Sequence, residues 1–191
     1  MATPNAREQI VAAGMRGVLK KGYNACGIQE ITASAGLPKG SFYNYFESKE
    51  ALGAALVRHY GEIGPRRVGL ADKSIAPMER LRRHFEAASD LYIEMKYERG
   101  CLLGSFSAEL ASQCPQIRAR LAALFSDWTR DIESAITEAQ LTAAISTKAQ
   151  ADRLAIFLLD AYEGAILRAR AEKSRRAFDV FMSVVFTQIL V

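Results

Sequence analysis

The sequence predicts an all-α fold of about nine helices, a count taken from periodicity and breakers. Three observations carry this. Apolar residues recur at helical spacing almost throughout, whereas alternation of period two is sustained nowhere. Gly22, Gly36, Gly100 and Pro115 punctuate the periodic runs where helices are expected to stop or start. The 191 residues are 50% hydrophobic and 24% charged, an ordinary globular composition with enough material for a core.

The first helix is expected over roughly 5–21, where Ile10, Gly14 and Val18 fall four apart and Gly22 supplies the stop. Gly14 and Gly17 inside it cost up to ~1 kcal/mol each relative to Ala, so close packing must offset them. A short helix over roughly 28–35 turns Ile28 and Ile31 inward and ends at Gly36. Pro38 suits the first turn of the next helix, roughly 39–45. Ser48 reads as the N-cap of a helix over roughly 49–62.

Gly61, Gly64, Pro65, Gly69 and Pro77 crowd one stretch, which marks a boundary between a domain over 1–60 and another over 66–191. Beyond it, Leu81, Phe85, Ala88, Tyr92 and Met95 stripe a helix that Gly100 stops. Short and long helices follow at roughly 102–112 and 115–139, the long one carrying Ile117, Leu121, Leu124, Phe125, Trp128, Ile132 and Ile136. The last two, roughly 147–171 and 174–190, are apolar on more than one side. A chain of this size has little interior to cover both, so a homodimer is expected through a four-helix bundle. Its interface residues would be Phe157, Tyr162, Phe178, Phe181, Met182, Val185, Phe186 and Ile189. A central core helix in a monomer is the alternative.

The net charge is +4, and +3 of it lies in residues 1–60, which favours a polyanionic partner. Cys26, Cys101 and Cys114 form no metal signature and no CxxC pair, so neither metal nor cofactor is expected. The polar start lacks the apolar core of a secretory signal, and no apolar run approaches the ~20 residues of a membrane helix. A cytoplasmic protein with reduced thiols and no membrane partner is therefore expected.

The segment from Ile28 to Leu52 reads IQEITASAGLPKGSFYNYFESKEAL. Two short helices joined at Gly36 describe a helix-turn-helix. Phe42 and Phe46, four apart, anchor the second helix, while Lys39, Ser41, Tyr43, Asn44 and Tyr45 supply polar and aromatic groups to its outer face. Ala35-Gly36, Lys39-Gly40, Tyr43-x-Tyr45-Phe46 and Ser48-Lys49-Glu50-x-Leu52 occur here in the order found in the tetracycline-repressor (TetR) family, and the chain resembles that family in length and layout. The resemblance implies a transcriptional regulator, most often a repressor, that binds double-stranded DNA at a palindromic operator as a dimer. It implies that Lys39 and Lys49 touch phosphates, that Tyr43 and Tyr45 contact the backbone or a thymine methyl, and that Ser41 and Asn44 read bases. Asn44 stands where the family commonly has His, and Cys26 where it commonly has Thr. For Cys26 the favoured reading is a small packed residue.

Gly100-Cys101-Leu102-Leu103-Gly104 with Glu109-Leu110-Ala111 resembles a branch that responds to N-ethylmaleimide-like electrophiles or acrylate. Cys101 falls at the start of a helix, where a thiolate is stabilised. Two readings stand: a reactive sensor, or a buried thiol lining a pocket. Tyr92, Met95, Leu103, Phe106, Phe125, Trp128 and Tyr162 are the candidate ligand contacts, with plain core as the alternative for each. His84 is either a ligand contact or a satisfied or surface histidine, and Trp128 needs a partner for its indole N–H. An inducer, small molecule or electrophile, would act by shifting a population between DNA-binding and released states. An enzyme using Cys101 and a helical adaptor without DNA binding are the rivals. No GxSxG, P-loop or dinucleotide fingerprint supports the first.

Overall fold

A computed structural model describes residues 5–63 and 69–191. Gly64, Pro65 and the expected start of the second domain at 66 lie outside the described residues. Among the described residues every regular element is helical: α1 (Ala6–Lys21), α2 (Ile28–Ser34), a 3-10 helix (Lys39–Asn44), α3 (Lys49–Ile63), α4 (Pro77–Glu94), α5 (Leu102–Leu110), α6 (Pro115–Leu141), α7 (Ala151–Glu172) and α8 (Arg176–Val184). A π turn over Val185–Ile189 continues α8. The all-α expectation therefore holds, with a count of nine helices among the described residues.

Several boundaries differ from the sequence reading for local reasons. The segment after Pro38 winds as a 3-10 helix, not an α-helix. Six residues are few for an α-helix, and the Ser41 hydroxyl and amide both turn back to the Pro38 carbonyl. The helix expected to run to Gly100 ends at Glu94, because Lys96 and Tyr97 adopt positive φ (52° and 57°). Such geometry costs roughly 1–2 kcal/mol per non-glycine residue. The Tyr97 amide bonding to the Tyr92 carbonyl at 2.9 Å, and Lys173 Nζ donating to the Tyr97 carbonyl at 2.9 Å, help hold it. The seventh helix starts at Ala151 because the preceding residues are engaged elsewhere: the Thr147 amide bonds to the Val191 carbonyl at 2.9 Å, and Gln140 donates to the Thr147 and Ala149 carbonyls.

Packing divides the chain into two compact units. The first joins Met1–Glu62 with Cys101–Ala123, so a helix distant in sequence is built into the N-terminal bundle. Asn5 caps α1 in a reciprocal capping box with Glu8 (3.0 and 3.1 Å), and Gly22 closes it at φ +88°. The core of the unit is Ile10, Val18, Ile31, Phe42, Leu52, Leu56, Phe106 and Ile117, all buried. The small residues of α1 permit close approach. A Cβ on Gly14 would touch Leu52 and Leu56 at an ordinary 3.4 Å, but one on Gly17 would lie 2.4 Å from Cys26 Sγ.

The second unit joins Ile63–Gly100 with Leu124–Val191. Its centre is aromatic: Phe85 meets Tyr162 at 5.0 Å and Phe181 at 4.9 Å between ring centroids, and Tyr162 meets Phe178 at 5.8 Å. Several of the buried polar groups there are paired, although Arg80 Nε has no hydrogen-bond partner among the described residues. The Ser89 hydroxyl donates to the Phe85 carbonyl at 2.7 Å and lies 3.1 Å from the Tyr162 hydroxyl. Arg80 is fully buried; its guanidinium bonds to Glu138 and reaches the Leu70 carbonyl at 3.4 Å. Lys73 also pairs with Glu138, at 2.9 Å. The hydrogen bond from Lys73, then that from Arg80, hold the Glu138 carboxyl below its ordinary range. Among the described residues no helix is long and apolar enough to cross a membrane.

Two outcomes follow from these contacts. Because folding depresses the Glu138 carboxyl, its contribution to stability is present above the unfolded carboxylate value of about 4.3 and is lost as pH falls through the lower folded value. Glu138→Gln should therefore melt below the wild type at pH 7, with the gap closing in acid; a gap independent of pH would contradict the assignment. Gly17→Ala gains up to ~1 kcal/mol of helix propensity but overpacks a buried thiol at a cost of roughly 1–3 kcal/mol. Thermal unfolding should show net destabilisation that a second change, Cys26→Ala, largely relieves.

Candidate functional site

The helix-turn-helix is assembled around a small number of anchors. α2 ends at Ser34, and Gly36 takes φ +72°, the left-handed turn that a glycine makes without strain. The Gly36 and Leu37 amides bond back to the Ala33 and Thr32 carbonyls at 3.0 and 2.9 Å, so the turn is fixed by its own backbone. Phe42 and Phe46 are buried with ring centroids 5.6 Å apart, as the spacing predicted. Their burial fixes which face of the 3-10 helix points outward.

That outer face carries the predicted residues. Lys39, Tyr43, Asn44 and Tyr45 are exposed, the two tyrosines by 60% and 42%, high for large aromatic side chains. Ser41 is half-buried with its hydroxyl engaged by the Pro38 carbonyl. Lys49 is arranged differently from the others. Its Nζ lies 4.4 Å over the Tyr23 ring and 3.4 Å from the Asn24 carbonyl, so it braces the α1–α2 turn. Cys26 is buried against Gly17, and burial pushes its thiol up, away from the thiolate form. It packs; it does not present a donor to phosphate.

Cys101 is the N-cap residue of α5 and is only 3% exposed. Its Sγ lies 3.5 Å from the Tyr60 hydroxyl on α3. α5 is apolar on most of its surface, with Leu102, Leu103, Phe106 and Leu110 buried. Near its far end Glu109 reaches the turn after α1: one carboxylate oxygen accepts from the Tyr23 amide at 3.0 Å and the other from the Asn24 amide at 2.7 Å. The Tyr23 ring meets Phe106 edge-on at 5.4 Å. The Glu109 contact bridges residues 85 and 86 apart, so no local pattern could reveal it.

The predicted ligand contacts do not form one group. Cys101, Leu103 and Phe106 belong to the first unit; Tyr92, Met95, Phe125, Trp128 and Tyr162 belong to the second. Tyr92 stacks on Phe178 at 5.9 Å, and Tyr162 lies in the aromatic centre. Met95 and Phe125 are half-buried. The indole N–H of Trp128 donates to His84 Nε2 at 2.9 Å, so His84 is a buried partner of Trp128.

On the expected dimer face, Tyr162 and Phe178 are buried inside their own protomer, as are Phe181, Val185 and Phe186, while Met182 and Ile189 are half-buried. Phe157 is exposed, as are Ile156, Leu167 and Val180, which the sequence reading did not include. A groove of roughly 340 Å³ runs between α7 and α8, lined by Phe157, Ala161, Gly164, Ala165, Val180, Phe181 and Val185 among others. Among the described residues no group of His, Cys, Asp and Glu could hold a metal ion.

Comparison with known proteins agrees with this arrangement. Residues 10–56 match bacterial regulatory proteins of the tetR family, and residues 77–185 match the tetracyclin repressor-like C-terminal domain. The chain is 38% identical to the HTH-type transcriptional repressor DhaR of Mycobacterium sp. (strain GP1), over all of this chain and 95% of that one. It is 35% identical to the transcriptional regulator AcuR of Cereibacter sphaeroides, over 87% of this chain and 77% of that one. Among solved structures, regulatory protein TetR from Rhodobacter sphaeroides superposes with a TM-score of 0.88 at 32% identity, covering 94% of this chain and 96% of that one. The reduced form of E. coli NemR superposes at 0.81 and 25% identity, covering 94% and 95%.

Proposed function

The chain belongs to the tetR family of bacterial regulatory proteins, and we propose that it is a repressor released from a palindromic operator by an inducer acting through α5 and its Cys101. Members of this family bind DNA operators as dimers and are not enzymes. The observation that carries the reading is the outward face of the 3-10 helix. Two exposed tyrosines, a lysine and an asparagine stand there on a backbone anchored from beneath by Phe42 and Phe46. Lys39 and the tyrosines position the protein on phosphates; Asn44 reads a base edge, with Ser41 beside it. The α7–α8 groove and the exposed Phe157 and Val180 support a second copy as the partner, with Tyr162, Phe178, Phe181, Val185 and Phe186 forming its inner support. Work on DNA puts the protein in the cytoplasm.

The inducer is either a small molecule held among the aromatic side chains or an electrophile that modifies Cys101. The thiol reading is supported by position: Cys101 caps α5, touches Tyr60 on α3, and shares a compact unit with the helix-turn-helix. Alkylation by a maleimide adds sulfur to one carbon of the double bond and the proton to the other. The added ring is too large for a site 3% exposed, so α5 or Tyr60 must move.

A gel shift with DNA flanking the protein's own gene tests the reading. Lys39→Ala should weaken binding to all sequences and reduce the salt slope by about 1. Asn44→Ala should leave the slope and relax base preference at one position. Loss of neither property would remove these residues from the interface. N-ethylmaleimide should abolish the retarded band in the wild type and in Cys114→Ser, whose altered thiol is the most exposed of the three. Cys101→Ser should keep its band; equal release from that variant would move the sensing elsewhere.

A further inference from the structure

We propose that Glu109 is a positioning residue for DNA binding, a clasp through which α5 sets the pose of the helix-turn-helix; this rests on the DNA-binding reading above. The carboxylate spans two successive backbone amides, Tyr23 at 3.0 Å and Asn24 at 2.7 Å, with one oxygen for each. Ionised acceptors make short, strong bonds to backbone N–H groups, and a turn with successive amides facing one way is an anion cradle. The cradle is shaped for this group. Gly22 takes φ +88°, and a Cβ there would stand 2.6 Å from Glu109 Oε1. Residue 22 must therefore lack a side chain both for its own conformation and to admit the carboxylate.

The clasped turn leads directly into the DNA-binding element. The Cys26 amide bonds back to the Tyr23 carbonyl at 3.2 Å, and α2 begins at Ile28. Lys49, at the start of α3, holds the same turn from the other side through the Asn24 carbonyl and the Tyr23 ring. Phe106, one helical turn before Glu109 on α5, meets the Tyr23 ring. The turn is thus fixed between α5 and α3, and a shift of α5 is a shift of the entry to α2. Cys101 caps the opposite end of the same nine-residue helix, which is short enough to move as one body.

Glu109→Gln keeps size and replaces one acceptor oxygen with an NH2 donor facing a backbone amide, so one of the two bonds seen here is lost. In the full-length protein, exchange of the Tyr23 and Asn24 amide protons should accelerate. Affinity for the DNA fragment retarded by the wild type should fall about tenfold, the scale of one lost charge-assisted hydrogen bond. The salt slope should stay the same, because no phosphate contact is lost. A residue that merely adds stability would lower the melting temperature without touching affinity in the folded range. Gly22→Ala approaches the clasp from the other side and should weaken binding likewise, with the double variant losing less than the product of the two. If Glu109→Gln melts below the assay temperature, Gly22→Ala decides alone. Unchanged affinity in a folded variant, affinity lost without faster amide exchange, or independent effects in the double variant would each overturn the proposal. A wild type that retards no DNA would overturn the DNA-binding reading itself.

Discussion

Burial of α5 within the N-terminal bundle is the interaction on which the first unit depends. A nine-residue helix is too short to persist alone in water, so its helicity comes from packing. Leu102, Leu103, Phe106 and Leu110 are all buried, and Phe106 lies edge-on to the Tyr23 ring. The bundle in turn needs α5: Phe106 is among its largest fully buried side chains, and removing such a ring costs roughly 3–5 kcal/mol. The DNA-binding segment and the helix that carries Cys101 therefore stabilise each other, which is the physical basis of the regulation proposed above.

The second unit solves a different problem. Its helices enclose a cluster of five rings from Phe85, Tyr92, Tyr162, Phe178 and Phe181, with the hydroxyl of Tyr162 directed to Ser89 and the Phe85 carbonyl. The buried Arg80 of α4 pairs with Glu138 of α6, whose charge Lys73 also meets. Outside this core, apolar residues of α7 and α8 line an outward groove. Phe157 and Val180 are exposed along it, and this is the face proposed above to meet a second copy.

What was legible in the sequence was local. Gly36, Pro38 and the Phe42–Phe46 spacing dictate a turn and an anchored helix through bonds that span only a few residues. Cys101 was placed at a helix start by the Gly100 break, and the structure makes it the N-cap. What stayed hidden depended on distance through space. Glu109 stands in the sequence only as part of the Glu109-Leu110-Ala111 resemblance, and its contact needs the turn 85 residues away to be brought to it. Arg80 reads as surface until α6 delivers Glu138. The resemblance implies a phosphate contact for Lys49, whereas in the structure its ammonium lies against the Tyr23 ring and the Asn24 carbonyl. A helix apolar on two sides does not announce which side its own protomer covers, and Tyr162 and Phe178 turn out to be buried within the protomer.

The most direct measurement is selection of bound DNA from a random pool by the full-length protein, followed by sequencing. An enriched inverted repeat is expected, bound by a dimer, with affinity that falls steeply as salt rises. A pool that returns no enriched sequence, or one bound without salt dependence, would contradict it.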